Sequence, residues 1–144
     1  MLPAPPLPSI RFSGRVLLVE DNPINRLVAT EMLADMGLAV EGAADGQEAV
    51  ERLSAEPFDL VLMDCQMPVL DGYSATVAWR QRERDEGRHR TPIAAVTANA
   101  LPSDRKRCLD SGMDDYLAKP YKREDLMGLL TRWLPARLAD EAAG

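Results

Sequence analysis

The sequence is poor in cysteine and histidine, and it has no excess of positive charge. Two cysteines, Cys65 and Cys108, and the single His89 are too few ligands for a structural zinc site. A formal net charge of -6 disfavours direct binding of nucleic acid, which relies on cationic side chains that contact phosphates. No apolar run approaches the length of a membrane span, so no membrane contact by this segment is expected.

The composition is that of one globular domain, because 46% of the 144 residues are hydrophobic. Residues 1–13 are rich in proline and are predicted to be a tail or linker, without the positive start of a signal peptide. Residues 136–144 are predicted to be a flexible C-terminal tail. The folded domain is therefore expected at residues 14–135, with reduced cysteines and a cytoplasmic location, either alone or in a longer chain.

Five short apolar runs alternate with helical patterns between these ends. The strands are predicted at residues 16–19, 39–40, 58–63, 92–97 and 115–119. Such alternation predicts an α/β fold, a doubly wound parallel sheet of five strands with helices on both faces. In sheets of this kind the ligand site lies beyond the carboxyl ends of the strands.

The first helix has a clear start and a clear periodicity. Asn22 and Pro23 are typical of a helix start, with proline at the first helical position. Apolar residues then recur at helical spacing, at Ile24, Leu27, Val28 and Met32. Gly37 is expected to end this helix.

Acids, one hydroxyl and one lysine come at the ends of the predicted strands. They are Glu20, Asp21, Asp64, Thr97 and Lys119. Each alone has a simpler explanation as a helix cap, a turn residue or a solvated charge. Three converging carboxylates, however, repel one another and need a cation, and their oxygen atoms suit a magnesium-type ion. With a lysine and a hydroxyl beside them, they form a cradle for a phosphoryl group, and Asp64 is the expected nucleophile.

The motifs around these residues resemble the receiver domain of two-component response regulators. The similar segments are Val-Leu-Leu-Val-Glu-Asp-Asn at 16–22, Met-Asp-Cys-Gln-Met-Pro at 63–68 with Asp71-Gly72, Val-Thr-Ala at 96–98, and Tyr-Leu-Ala-Lys-Pro at 116–120. They occur in the family's order and cover roughly residues 15–134. The sequence at residues 21–25 and 64–68 is most similar to that of receivers of hybrid sensor histidine kinases.

The resemblance implies a flavodoxin-like three-layer α/β/α fold with strand order 2-1-3-4-5. It implies that Asp64 accepts a phosphoryl group from phosphohistidine, that Lys119 contacts the phosphoryl oxygens, and that Thr97 and Tyr116 switch with phosphorylation. The implied Mg²⁺ ligands are Glu20, Asp21, Asp64 and the backbone carbonyl of Gln66. The Lys119–Pro120 peptide bond is expected to be cis. Such a domain is not an enzyme in its own right, although it assists its own Mg²⁺-dependent phosphorylation and dephosphorylation.

The implied partners are a histidine kinase, a histidine phosphotransfer protein, or both. A helix bundle of such a partner is expected to dock around residues 22–26 and 120–121, and a monomeric state is favoured for this domain. The chain is then expected to be a stand-alone relay domain or the cytoplasmic part of a hybrid kinase.

Two other functions compete with that of a receiver domain. A phosphatase of the haloacid dehalogenase type also forms an aspartyl phosphate, but it normally has a second aspartate two residues after the nucleophile, where this chain has Gln66. A passive flavodoxin-like binding module needs a loop rich in Ser, Thr and Gly after the first strand. The acidic residues Glu20 and Asp21 stand there instead.

The stretch from Arg80 to Arg90 carries five arginines with interleaved acids. Because the signs alternate and no aromatic residue is present, it is interpreted as a solvated helix end and loop with an exposed His89. Cys65, beside Asp64, is interpreted as a small buried neighbour that points away from the site.

Overall fold

A computed structural model of the protein describes residues 10–65, 67, 70–98 and 101–138. The strands are β1 (Ile10–Phe12), β2 (Arg15–Val19), β3 (Ala39–Ala43), β4 (Leu60–Asp64), β5 (Ile93–Thr97), β6 (Asp115–Ala118) and β7 (Ala136–Leu138). The helices are α1 (Pro23–Asp35), α2 (Gly46–Ala55), α3 (Gly72–Glu86), α4 (Pro102–Ser111) and α5 (Arg123–Trp133). No helix in these ranges is long and apolar enough to cross a membrane.

The five central strands form one parallel sheet in the order β3-β2-β4-β5-β6. Numbered among themselves, they follow the predicted order 2-1-3-4-5, so the doubly wound α/β fold is confirmed. Every residue of β4 and β5 is buried, as expected for strands that are covered on both faces. The strand order reverses between β2 and β4, which places the expected ligand site where these two strands end.

The core consists of two apolar layers, because successive strand residues point to opposite faces of the sheet. One layer packs α1 and α5 against the sheet, through residues such as Leu33 and Leu129. The other packs α2, α3 and α4, through residues such as Leu53, Trp79 and Cys108. The described part of the chain therefore has three layers, with two helices on one face of the sheet and three on the other.

The ordered domain extends past the predicted boundaries at residues 14 and 135. Strands β1 and β7 pair antiparallel, with Ile10 opposite Leu138 and Phe12 opposite Ala136. Phe12 is only 3% exposed and joins the layer of α1 and α5. The prediction of tails therefore placed both boundaries too far inward, because three-residue strands carry too little periodicity to be recognised beside prolines. The rest of both predicted tails lies outside the described residues.

The first helix begins as predicted but turns a different face to the core. The side chain of Asn22 caps it by accepting hydrogen bonds from the backbone N–H groups of Ile24 and Asn25. Three members of the apolar series are largely exposed, namely Ile24 at 72%, Leu27 at 59% and Val28 at 52%. Ala29 and Leu33 pack on the sheet instead. Residues Ile24, Leu27 and Val28 form what is called here the α1 apolar face.

The interpretation of the Arg80–Arg90 stretch as solvated is wrong for two of its residues. Arg80 and Glu83 are each only 5% exposed, and they form a salt bridge of 2.7 Å. Arg80 also pairs with Asp114 at 2.8 Å and donates to the backbone carbonyls of Thr91 and Gly112. One arginine thus ties α3 to the segment before β5 and to the turn between α4 and β6. His89 and the other four arginines of the stretch are exposed, as expected.

Candidate metal and phosphoryl site

Three carboxylates converge where β2 and β4 end. Glu20 and Asp21 directly follow β2, and Asp64 is the last residue of β4. One oxygen from each of the three lies within 4.8 Å of the other two. Glu20 is 6% and Asp64 5% exposed, whereas Asp21 is open to solvent. The geometry therefore agrees with the prediction from the sequence that these acids share one edge of the sheet.

The helix after β4 begins unusually close to Asp64, and a glycine permits this approach. A Cβ atom on Gly72 would come within 2.3 Å of the Asp64 carbonyl oxygen, so any other residue would push the helix away. Asp71 caps the same helix, because its side chain accepts a hydrogen bond of 2.8 Å from the Ser74 backbone N–H. The Asp71-Gly72 pair therefore starts α3 against the end of β4.

Lys119 brings a positive charge to two of the three carboxylates. Its Nζ atom lies 3.4 Å from Asp64 Oδ2 and 3.3 Å from Glu20 Oε2. Burial acts to lower the pKa of Lys119, but the charges of Asp64 and Glu20 outweigh it and raise that pKa. Burial likewise opposes ionisation of Glu20, but hydrogen bonds with Asp64 and Asn25 and the charge of Lys119 lower its pKa. The Lys119–Pro120 peptide bond is cis, as predicted.

The two predicted switch residues lie on the neighbouring strands. Thr97 ends β5 and is 4% exposed, and its carbonyl accepts a hydrogen bond of 2.7 Å from the Lys119 N–H. Tyr116 lies on β6 and is half-buried. The guanidinium of Arg105, on α4, stacks 4.4 Å from the centre of the Tyr116 ring and hydrogen-bonds to its hydroxyl.

Two of the predictions from sequence concern residues of the loop after Asp64. Gln66, whose carbonyl was predicted as a metal ligand, lies outside the described residues. Cys65 is 2% exposed and packs with Cys108 in the layer of α2, α3 and α4. Burial raises the pKa of the Cys65 thiol to about 12, so the thiol stays protonated at neutral pH. The interpretation of Cys65 as a buried apolar neighbour is confirmed.

Sequence reasoning missed two residues of α1 that contact Glu20. Asn25 Nδ2 donates to Glu20 Oε1 at 3.2 Å, and Arg26 Nη1 donates to the Glu20 carbonyl at 2.7 Å. A signal for the first contact existed, because Asn25 is the third residue of a capped helix, where polar side chains reach back past the cap. Both contacts mean that the first turn of α1 belongs to the site.

The donor set fits a hard divalent cation. Carboxylate oxygens are the ligands that Mg²⁺ favours, and two or three of them leave room for water and phosphate oxygens. Asp21 faces solvent, which gives an ion a route of entry. Three acids with one shared lysine also leave an excess of negative charge that a cation would balance.

The family of the chain is shown by comparison with known proteins. The model of the response regulator receiver domain matches residues 16–131. The sensor protein GacS of Pseudomonas syringae pv. syringae is 43% identical over 138 residues, which is 96% of this chain. The match covers only 15% of GacS, so the chain spans a small part of such relatives.

Two solved structures share the fold closely. The receiver domain of sensor histidine kinase PA1611 from Pseudomonas aeruginosa, with a magnesium ion coordinated in its active site cleft, is 50% identical with a TM-score of 0.75. That match covers 84% of this chain and 97% of the other. A chain of the Saccharomyces cerevisiae complex between the histidine phosphotransfer protein Ypd1 and the receiver domain of Ssk1 is 33% identical, with a TM-score of 0.82. It covers 85% of this chain and 90% of its own.

These similarities do not support the alternative of a haloacid dehalogenase phosphatase. They agree with the five-stranded fold and with the acidic cluster at its carboxyl edge. The chain therefore belongs to the response regulator receiver domain family, the phosphoacceptor modules of two-component phosphorelays.

Proposed function

We propose that Asp64 is the residue of this chain that accepts the phosphoryl group from a phosphohistidine. The observation that carries this proposal is the contact of the buried Asp64 carboxylate with the ammonium group of Lys119, beside Glu20 and Asp21. An Oδ atom of Asp64 forms the new P–O bond while the P–N bond of phosphohistidine breaks. The imidazole leaves and takes up a proton.

The acidic cluster would hold Mg²⁺ through Glu20, Asp21, Asp64 and the backbone carbonyl of Gln66. The magnesium ion in the cleft of the PA1611 receiver supports this assignment, as does the all-oxygen donor set. The chemistry that Mg²⁺ supplies when bound is neutralisation of the charge that carboxylates and phosphoryl oxygens bring together.

Lys119 and Thr97 complete the phosphoryl cradle in this proposal. Lys119 is cationic and already touches the acceptor, so it can donate to a phosphoryl oxygen without a large movement. Thr97 lies on the adjacent strand, where Asp64 pairs with the preceding residue, and its hydroxyl is a further donor. A phosphoryl group adds about -1.5 to -2 charges, which biases the positions of these donors.

Tyr116 would report that change at the surface. Its ring is held by Arg105 of α4, so a rotation of Tyr116 requires this stacked contact to break or to move. A change at Thr97 thereby reaches α4 through a residue on the edge strand β6. A partner that contacts α4 would distinguish the two states.

The proposal is tested with a small-molecule phosphodonor, phosphoramidate, and intact-protein mass spectrometry. In the presence of Mg²⁺ the protein is expected to gain one phosphoryl group, and hydroxylamine should remove it because an acyl phosphate is a mixed anhydride. Chelation of Mg²⁺ with EDTA before the donor is added should prevent the reaction. A protein that gains no phosphoryl group, or gains one that resists hydroxylamine, would contradict the proposal.

The partner is proposed to be the helical domain of a histidine kinase or a histidine phosphotransfer protein, docked on the α1 apolar face. Three large apolar side chains are exposed together there, at the helix whose first turn contacts Glu20. A cavity of about 490 Å³ adjoins this face and is lined by Val28, Met32, Pro120 and Tyr121. The surface is therefore next to the acceptor, as transfer between two proteins requires. A place in the cytoplasmic part of a hybrid kinase belongs to the same proposal, which the similarity to a sensor protein supports.

Leu27→Asp should slow phosphotransfer from a phosphorylated histidine phosphotransfer domain by about tenfold or more, because it places a charge in the centre of an apolar contact. Phosphorylation by phosphoramidate should stay at the wild-type rate, since no large partner is involved. Val77→Asp is the matched control, because Val77 is 54% exposed on α3, which packs on the other face of the sheet. Equal rates for both variants with the protein donor would exclude α1 as the docking helix.

Arg26 is unsuitable for this test, although it lies in the predicted docking region. Its guanidinium donates to the Glu20 carbonyl, so reversal of its charge would disturb the acidic cluster directly. A loss of transfer in such a variant would not distinguish docking from chemistry.

A further inference from the structure

The Glu20 carboxylate is held at both of its oxygen atoms. Oε1 accepts a hydrogen bond of 3.2 Å from Asn25 Nδ2, and Oε2 accepts one of 3.3 Å from Lys119 Nζ. Glutamate has one more rotatable bond than aspartate, so the direction of its carboxylate is less constrained by the backbone. A hydrogen bond that fixes this direction therefore removes more conformational freedom at Glu20 than it would at an aspartate.

The backbone of Glu20 is already fixed by other contacts. Its N–H donates to the Ala43 carbonyl at 3.0 Å, and its carbonyl accepts from Arg26 at 2.7 Å. The stem of Arg26 lies over Gly42, where a Cβ atom would come within 3.2 Å of Arg26 Cδ. The main chain at Glu20 is therefore held by both β3 and α1, and the remaining freedom lies in the side chain.

Asn25 is itself held in the position that this contact requires. The Asn22 side chain accepts a hydrogen bond of 3.0 Å from the Asn25 backbone N–H. Side chains of a helix lean toward its N-terminus, which directs Asn25 back to the end of β2. An amide also donates a hydrogen bond without adding a positive charge, so it orients Glu20 and leaves its negative charge available to a cation.

We propose that Asn25 is a positioning residue for the metal site, which holds the Glu20 carboxylate in the orientation that a divalent cation needs beside Asp21 and Asp64. The inference rests on the proposed function of that site. Residues that orient metal ligands through hydrogen bonds typically change metal affinity by about 10- to 100-fold when they are removed. Asn25→Ala should therefore raise the Kd for Mg²⁺ by about tenfold.

The test is isothermal titration of the unphosphorylated protein with MgCl₂, in the backgrounds of Glu20 and of Glu20→Asp. The shorter aspartate withdraws from the reach of Asn25, so Asn25→Ala should change the Kd of that background by no more than about twofold. A merely structural role of Asn25 in α1 would weaken binding equally in both backgrounds. Thr30→Ala, further along the same helix, is the control and should leave the Kd unchanged.

Asn25→Leu keeps the bulk of the side chain but cannot donate the hydrogen bond. Like Asn25→Ala, it should therefore raise the Kd for Mg²⁺ by about tenfold. Far-UV circular dichroism checks that each variant is folded. A Kd for Asn25→Ala and Asn25→Leu within about twofold of wild type, or an equal loss in both backgrounds, would overturn the assignment. Wild-type protein that binds no Mg²⁺ would overturn this inference together with the proposed metal site, whereas a failure of Asn25 alone leaves the latter standing.

Discussion

Asp64→Asn is expected to abolish the phosphoryl adduct that phosphoramidate forms with the wild-type protein. The amide that replaces the carboxylate has no negative oxygen to attack phosphorus, and it cannot form an acyl phosphate. The variant should remain folded, because asparagine has the same shape and removes a buried charge that lies beside Glu20. Intact-protein mass spectrometry of both proteins after the same exposure measures the loss.

Asp45→Asn is the matched control for this experiment. Asp45 lies at the same edge of the sheet, where its side chain accepts a hydrogen bond of 2.8 Å from the Glu48 backbone N–H and caps α2. Asparagine caps helices as well as aspartate does, so stability and labelling should both stay at wild-type levels. Undiminished labelling of Asp64→Asn would mean that another residue is the acceptor.

Arg80→Ala is expected to lower the free energy of unfolding by about 3–5 kcal/mol, the usual cost of removing one partner from a buried ion pair. Glu83, whose side chain is only 6% exposed, would keep its charge without the arginine, whereas Asp114 would still pair with Arg90 at 2.7 Å. The carbonyl of Thr91 would also lose this donor, whereas the carbonyl of Gly112 would keep its hydrogen bond of 3.1 Å from Arg90. Equilibrium denaturation in urea measures the loss.

Arg82→Ala is the control for the buried network. Arg82 pairs with Glu86 at 3.0 Å on the same helix, but its side chain is 46% exposed. Its removal should cost far less stability than the removal of Arg80, because solvated pairs contribute little. Arg80→Lys should not restore stability, because an ammonium group cannot serve four partners in the fork of a guanidinium. A loss for Arg80→Ala no larger than that for Arg82→Ala would refute the network's importance.

The parts of the site that were predictable are those placed by the sheet itself. Parallel strands end at one edge, so Glu20, Asp64 and Lys119 could be assigned to one place from their positions after apolar runs. The strand order and the two-sided burial followed from the same alternation. Local patterns were sufficient here because each acid is adjacent in sequence to the strand that carries it.

The residues that escaped prediction act across elements. Arg80 reaches Asp114, which lies 34 residues away in sequence, and its surroundings of alternating charge look the same as a solvated helix. The apolar series of α1 marked a helix but not its buried side, because Ile24 and Leu27 form a second stripe that faces solvent. Periodicity identifies a helix, whereas the choice of face depends on packing that is set elsewhere in the chain.

The pairing of β1 with β7 has a mechanical consequence. Ile10 and Leu138 lie opposite each other at the outer end of this ribbon, and the inner end joins the core through Phe12. A pulling force applied through residues 10 and 138 separates the two strands from this end. The hydrogen bonds between them then break one after another, rather than all together as they would in shear. The ribbon should therefore peel apart at low tension while the parallel sheet and its acidic edge stay intact.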